Sequence, residues 1–244
     1  MQKKGKHMQP VLEPEPHHHV LHHKMKGSYA PIYLTFLSVI QGVALADLAS
    51  VVAAGYRQFT FVDWLLVVLT FGSLISLWNQ YTMQSAILNW IPDIRDAAIP
   101  FVFGALELFL NHSIILSLSA WLFAAALIPS VGALATWYAG WRAGKEAENA
   151  RMLSLIRRRF RVFILYTLGL SVLLLLLALV SRVGGLEASD GVQGMRGVLA
   201  LGIVLLVAGS EGGFLLLSMQ HWGRVVDYAR TGQMPGMHVE DLAS

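Results

Sequence analysis

Residues 163–180 read FILYTLGLSVLLLLLALV, an apolar run that only Tyr166, Thr167, Gly169 and Ser171 interrupt. A run of about 18 or more apolar residues is typical of a membrane-spanning helix, because about 20 helical residues cross the hydrocarbon layer. The whole chain has the same character. Of its 244 residues, 55% are hydrophobic and 14% are charged, whereas soluble domains carry roughly 25% charged residues. The sequence therefore predicts an all-α, polytopic membrane helix bundle.

Apolar segments divide the chain into about six transmembrane helices. We predict helices over residues 32–54, 61–84, 93–110, 114–141, 160–183 and 195–222. Residues 30–222 then form the transmembrane domain, with a charged, helical cytoplasmic connection over 142–159. A polar, disordered tail is expected over 1–29 and a second polar tail over 223–244. Residues 184–194 read as a glycine-rich loop.

The positions of Lys and Arg predict the orientation of the bundle. With six helices, fifteen of the eighteen basic residues lie on the side of the termini. Five are in residues 1–29 and seven in residues 142–161, and the other three are Arg95, Arg224 and Arg230. Because cytoplasmic loops are enriched in basic residues, we expect both termini in the cytoplasm. We expect the location to be the bacterial cytoplasmic membrane.

The charge pattern and the missing motifs exclude several functions. The net charge of +3 does not indicate a nucleic-acid partner, since the basic residues flank apolar segments as topology signals do. The chain has no cysteine, and it lacks phosphate-loop, HExxH and GxSxG motifs. We expect no cofactor and no catalytic residue, and we rank last a lipid-modifying enzyme that uses Asp93 and Asp96. The tail contains five histidines, and two interpretations of them are metal binding and simple solvation, of which we favour solvation. These are His17, His18, His19, His22 and His23.

Three carboxylates fall inside predicted spans: Asp47, Glu107 and Glu211. A carboxylate at the centre of a membrane helix costs about 2.5–3.5 kcal/mol on insertion scales, so each should face protein or water. By helical rise, Glu211 lies in the inner half of the membrane, Glu107 near the middle and Asp47 toward the outside. A relay of acids across the membrane would require all three to face one cavity.

Helix 3 carries a polar stripe. At 100° per residue, Asp96 and Glu107 lie within about 20° of one line, and Asp93, Gly104 and Asn111 lie near it. Two interpretations remain open. The stripe lines a cation or proton pathway, or it is a helix contact held by Glu107.

Other helices contribute polar or small residues. Asn79 is among several polar residues on helix 2, and Gln41 and Asp47 on helix 1 lie about 120° apart. For Gly42 we favour close helix packing. Gly209, Gly212 and Gly213 lie beside Glu211. They could form a hinge, let the backbone approach an ion closely, or allow close helix packing. We expect helices 4 and 5 to be mostly scaffold.

The leading hypothesis is a protein that conducts or senses a cation or proton. Its candidate residues are Glu107, Glu211, Asp96, Asp47, Asn79 and Asn111, with Glu107 and Glu211 foremost. The alternative is a structural or assembly subunit that uses the same residues to dock a partner. Expected partners are the lipid bilayer and further copies of this chain or other membrane subunits.

Overall fold

The computed structural model describes residues 16–88, 93–146, 149–186 and 195–231. All regular structure in these ranges is helical. Six helices follow one another along the chain: α1 (Pro16–Gly55), α2 (Phe61–Ile87), α3 (Ile94–Ser113), α4 (Leu118–Ala143), α5 (Ala150–Gly184) and α6 (Met195–Thr231).

The six helices pack side by side as a closed ring. α1 contacts α2 and α3, α3 contacts α4, α4 contacts α5, and α6 closes the ring by contacting α5 and α2. Consecutive helices run in opposite directions. Both ends of the described chain therefore lie on one side of the bundle, here called the terminal side, together with the α2–α3 and α4–α5 connections.

Several helices extend beyond their predicted limits. α1 begins at Pro16 and not near residue 32, so the backbone of residues 16–29 is helical. α6 continues to Thr231. The expectations for residues 1–15, for 187–194 of the glycine-rich loop and for 232–244 of the second tail lie outside the described residues, as do the side chains of the tail histidines.

Local hydrogen bonds fix where the helices start and stop. Thr60 caps α2 in a reciprocal capping box with Asp63. Asp93 caps α3, with its Oδ1 accepting from the amide of Arg95 at 2.8 Å, and Asp96 bonds back to the amide of Asp93 at 2.7 Å. Such caps satisfy amide groups that the first helical turn leaves without partners. α5 ends at Gly184 and is capped by Gly185, whose φ of 59° is the left-handed conformation that glycine adopts most easily.

Five of the helices are long and apolar enough to cross a membrane: α1 from Pro31, α2, α4, α5 from Ile156 and α6 over Gly197–Gln220. Their outer faces are apolar, as Leu176, Leu179 and Val183 show on α5, where each is more than half exposed. This pattern indicates a multi-pass membrane protein, because such a surface suits lipid and not water. α3 does not meet the same criterion and carries Arg95, Asp96 and Glu107 within 20 residues.

α3 packs with its polar face inward. Asp96, Glu107 and Asn111 are buried, whereas Phe101 and Val102 are exposed. The predicted stripe is therefore a real face of the helix, and the surrounding helices cover it. Its close approach to α1 occurs at Gly104, where an added Cβ would lie 2.6 Å from Cγ2 of Ile40.

The prediction that Gly42 allows close packing of α1 against another helix is wrong. Gly42 is exposed, and an added Cβ there would meet no atom of the described residues within 4 Å. The small residue that brings α1 and α3 together lies on α3 and not on α1.

Candidate functional site

A cavity of about 90 Å³ lies inside the ring, between α2, α4, α5 and α6. Glu211 is the carboxylate in its wall, and Ser73 Oγ donates a hydrogen bond of 2.8 Å to Glu211 Oε1. A space of only 10–15 Å³ suffices for one water molecule, so this cavity has room for several. This partly open space, here called the central cavity, therefore holds an acidic site within the membrane-spanning region.

Hydroxyl and amide groups line the central cavity along α2. Ser76, Gln80 and Gln84 follow Ser73 toward the terminal side at helical spacing. Gln84 Nε2 donates to Thr136 Oγ1 of α4 at 3.2 Å. These groups form a polar strip on an otherwise largely apolar wall.

A second cavity of about 20 Å³ adjoins the first on the terminal side, and Asp96 lines it. Both cavities have Tyr81, Gln84 and Ala135 in their walls. From Ser85 in the smaller cavity to Ser73 in the larger one, the helical rise gives roughly 18 Å. The two cavities together thus extend over about half of a hydrocarbon layer that is about 30 Å thick.

A charged cluster lies at the outer edge of the smaller cavity. Arg142 Nη2 of α4 is 3.6 Å from Asp93 Oδ2 and 3.8 Å from Asp96 Oδ2. Tyr138 OH donates to Asp93 Oδ1 at 3.5 Å. Desolvation raises the pKa of Asp93, but amide hydrogen bonds from Arg95 and Asp96 and the charges of Arg142 and Arg95 together bring the pKa below its ordinary value. Asp93 is therefore ionised at neutral pH, and the cluster of Asp93, Asp96, Tyr138 and Arg142 is here called the α3–α4 latch.

Packed side chains close the other side of the central cavity. Trp121 of α4 is fully buried, and its Nε1 donates to Thr70 Oγ1 of α2 at 2.9 Å across the ring interior. Leu66, Leu118 and Leu122 are also fully buried in this region. The polar path therefore ends near the middle of the bundle in this conformation.

Glu107 faces a helix and not either of these cavities. It is fully buried, and its Oε1 accepts a short hydrogen bond from Nε2 of Gln41 on α1. It lines neither the central cavity nor the smaller one. Of the two interpretations of the α3 stripe, the structure supports the helix contact at this residue.

Asp47 and Asn111 extend the same contact. Asn111 Nδ2 donates to Asp47 Oδ2 at 2.9 Å and to the carbonyl of Ala44 at 2.8 Å. His112 Nδ1 lies 3.4 Å from Asp47 Oδ2. Gln41 and Asp47 both reach α3 although they lie far apart around α1. We call these residues the α1–α3 seam, and the three span acids therefore do not share one cavity.

Asn79 belongs to a different helix contact. Its Nδ2 is 3.4 Å from Ser218 Oγ of α6, and Gln80 Nε2 makes a short hydrogen bond to the same oxygen. Asn79 lies outside the walls of both cavities, whereas Gln80 lines the larger one. Of the six residues predicted from sequence, Glu211 and Asp96 alone lie at these cavities.

Some wall residues were not among the predicted site residues. Thr136, Thr167 and Phe163 place α4 and α5 at the cavity, so these helices do more than support the bundle. A single hydroxyl in an apolar helix is not a distinctive signal, because threonine readily bonds to its own backbone, as Thr167 does to Phe163. The glycines of α6 have open space at Gly209 and Gly212, so close packing does not explain them.

Comparison with known proteins identifies no relative. The chain matches no protein-family model, no curated protein and no solved structure, so its function has to be inferred from the cavity itself.

Proposed function

We propose that this chain is a multi-pass membrane protein that conducts or senses a cation or proton, with Glu211 as the group that holds it. One observation carries the proposal: the side chain of Glu211 lies in the wall of the larger cavity, which has room for several water molecules. A carboxylate inside the membrane is costly, and such groups typically mark ion or proton pathways.

The rest of the site is consistent with an entry route. Asp93 and Asp96 lie beside the smaller cavity, where both carboxylates face Arg142, and that cavity adjoins the central one. The hydroxyl and amide strip on α2 then leads from Asp96 to Glu211.

The packed layer around Trp121 closes the bundle on the side opposite the terminal side in this conformation. The packed layer separates Glu211 from the far side, so transport across the membrane would require the layer to open. A sensor would need no such opening. Both activities use Glu211 as the binding group, and both belong to the proposal.

A flux experiment tests the proposal. Purified full-length protein is reconstituted in liposomes, and uptake of H⁺, Na⁺, K⁺ and small organic cations is measured under a membrane potential. We expect flux of one of these species, lost in Glu211→Gln and retained in Glu107→Gln. Equal flux in wild type and Glu211→Gln would contradict a transport role, and Glu211-dependent binding without flux would identify a sensor.

The orientation and location are part of the same proposal. The excess of Lys and Arg on the terminal side supports cytoplasmic termini in a bacterial cytoplasmic membrane. Protease added to intact spheroplasts should spare a tag fused to either terminus and remove it only after lysis. Cleavage in intact cells would overturn this orientation.

The alternative function is a structural or assembly subunit, in which polar residues inside the spans stabilise helix contacts and conduct nothing. Glu107, Asp47 and Asn111 are all used in helix contacts, as expected when polar groups hold a bundle together. Partners would then be copies of this chain or other membrane subunits. Purification from native membranes in a mild detergent, with a fixed partner and no flux in liposomes, would favour this function.

A further inference from the structure

Three hydroxyl groups in the wall of the central cavity use their hydrogens within the protein. Ser73 donates its hydroxyl hydrogen to Glu211, Ser76 donates to the carbonyl of Gly72 at 2.8 Å, and Thr167 donates to the carbonyl of Phe163 at 2.9 Å. Each hydroxyl has one hydrogen but two lone pairs. Toward the cavity these three groups therefore present lone pairs and not donors.

Two further features add acceptors. Pro129 lies in the middle of α4 and has no N–H, so the carbonyl of Ala125 lacks its usual helical donor. Ala125 and Pro129 both line the central cavity. Gln84 donates one N–H to Thr136 in the same wall, and the amide oxygen of Gln84 is a further acceptor. With the carboxylate of Glu211, the site suits an occupant that is positively charged and carries N–H donors.

The walls select against a bare metal ion. Eleven of the nineteen lining residues present only carbon side chains or glycine. A dehydrated alkali ion needs a surrounding shell of oxygen atoms, as the carbonyl rings of potassium filters provide. Here the oxygens lie along one strip, and Phe103, Phe163 and Phe214 lie among the apolar wall residues. Aromatic faces attract organic cations, and carbon walls gain by burying an alkyl group.

The volume limits the size of such a ligand. An engineered cavity of about 150 Å³ holds benzene, and the central cavity, at about 90 Å³, is smaller. We propose that it binds a small primary alkylammonium ion of about the size of ethylammonium, with the ammonium group at Glu211 and Ser73 and the alkyl group against the phenyl rings. This inference rests on the proposed function, because it names the cation that Glu211 would hold.

Binding to the full-length protein in detergent micelles tests the inference. The probes are the chlorides of ethylammonium, tetramethylammonium and potassium, measured by titration calorimetry at constant ionic strength. We expect saturable binding of ethylammonium. Tetramethylammonium, which lacks N–H donors, and potassium, which has no alkyl group, should bind at least about tenfold more weakly.

Three variants locate the site. Glu211→Gln should weaken ethylammonium binding by about tenfold or more, because it removes the charge that pairs with the ammonium group. Phe214→Leu keeps an apolar side chain but removes a ring beside the alkyl group, and it should weaken binding by a few fold. Glu107→Gln, a buried acid outside this cavity, should bind as wild type does.

The results separate this inference from the proposed function. Potassium binding as tight as ethylammonium binding, or ethylammonium binding that Glu211→Gln leaves unchanged, would overturn the alkylammonium site. Glu211-dependent flux of H⁺ or K⁺ without ethylammonium binding would also overturn it, while the proposed function would stand. Glu211-dependent ethylammonium binding without flux would support the site and leave only the transport role without support.

Discussion

At the scale of single residues, the pair Gln41 and Glu107 shows how a buried acid can serve the fold. Both side chains are buried, and each is the other's partner across α1 and α3. A buried polar group that loses its partner costs about 1–3 kcal/mol. We therefore expect Gln41→Leu to lower the unfolding temperature in detergent, and the double variant Gln41→Leu, Glu107→Leu to recover most of the loss.

A double-mutant cycle with tryptophan fluorescence measures the coupling, which we expect to be about 1 kcal/mol, within the range of hydrogen bonds between membrane helices. Ser38→Ala is the matched control on α1, because the exposed Ser38 hydroxyl bonds only to the carbonyl of Leu34. Additive effects of the two leucine substitutions would show that Gln41 does not stabilise Glu107.

Asp93 combines a helix cap with an ion pair, and two substitutions separate these roles. Asp93→Ala removes the cap of α3 and should destabilise the protein by about 1 kcal/mol. Asp93→Asn should cost less, since asparagine caps equally well. The measurement is thermal unfolding of each variant at pH 7, and equal losses in both variants would mean that charge and not capping is what matters.

The lowered pKa of Asp93 also fixes the direction of a pH effect. Because the folded protein favours the ionised form, the contribution of Asp93 to stability is present above its ordinary pKa of about 3.8. It is lost as pH falls through the lowered value. The stability difference between wild type and Asp93→Asn should therefore shrink in strong acid, and a difference that grows there would contradict the latch.

At the scale of helices, Gly104 determines how closely α3 approaches α1. A methyl group at this position would lie 2.6 Å from Cγ2 of Ile40. Because Cγ2 is attached to the branched Cβ of isoleucine, it cannot easily rotate out of the way. We expect Gly104→Ala to destabilise the bundle by about 1–3 kcal/mol, as overpacking does. Ile40→Ala in the same chain should restore most of the loss.

Gly42→Ala is the control for this prediction, since its methyl group would meet open space. It should be neutral or stabilise α1 by up to about 1 kcal/mol, the difference in helix propensity between glycine and alanine. Unfolding temperatures of these three variants and of wild type decide the matter. A loss at Gly42 equal to that at Gly104 would show that the helix contact does not depend on Gly104.

The sequence predicts the polar face of α3 correctly but not what covers it. Helical geometry fixes the directions of Asp96, Glu107 and Asn111 relative to one another, so their common face follows from their spacing. Which helix lies against that face depends on the arrangement of the whole ring. For the same reason the sequence does not separate Glu107, which meets α1, from Glu211, which meets the cavity.

At the scale of the whole molecule, the apolar runs predict an all-helical membrane protein, and the structure confirms six helices in the described residues, five of them long and apolar enough to span a membrane. The sequence does not predict which helices are neighbours in the ring, because the spans all have similar apolar outer faces. The central cavity exists only in that arrangement. Its wall combines residues from α2 to α6 that are up to 141 positions apart, from Ser73 to Phe214.

We propose that the protein binds its cation or proton in the central cavity and not at the α1–α3 seam. Gly132 lines this space, and an added Cβ would lie 4.0 Å from Cζ of Phe103, so a side chain can start there without a clash. Gly132→Leu should fill the cavity while the protein remains folded. The decisive measurement is Glu211-dependent cation uptake or binding by this variant. We expect Gly132→Leu to lose this uptake or binding while its unfolding temperature stays close to that of wild type. Undiminished uptake or binding in the folded variant would show that the protein does not act through this space.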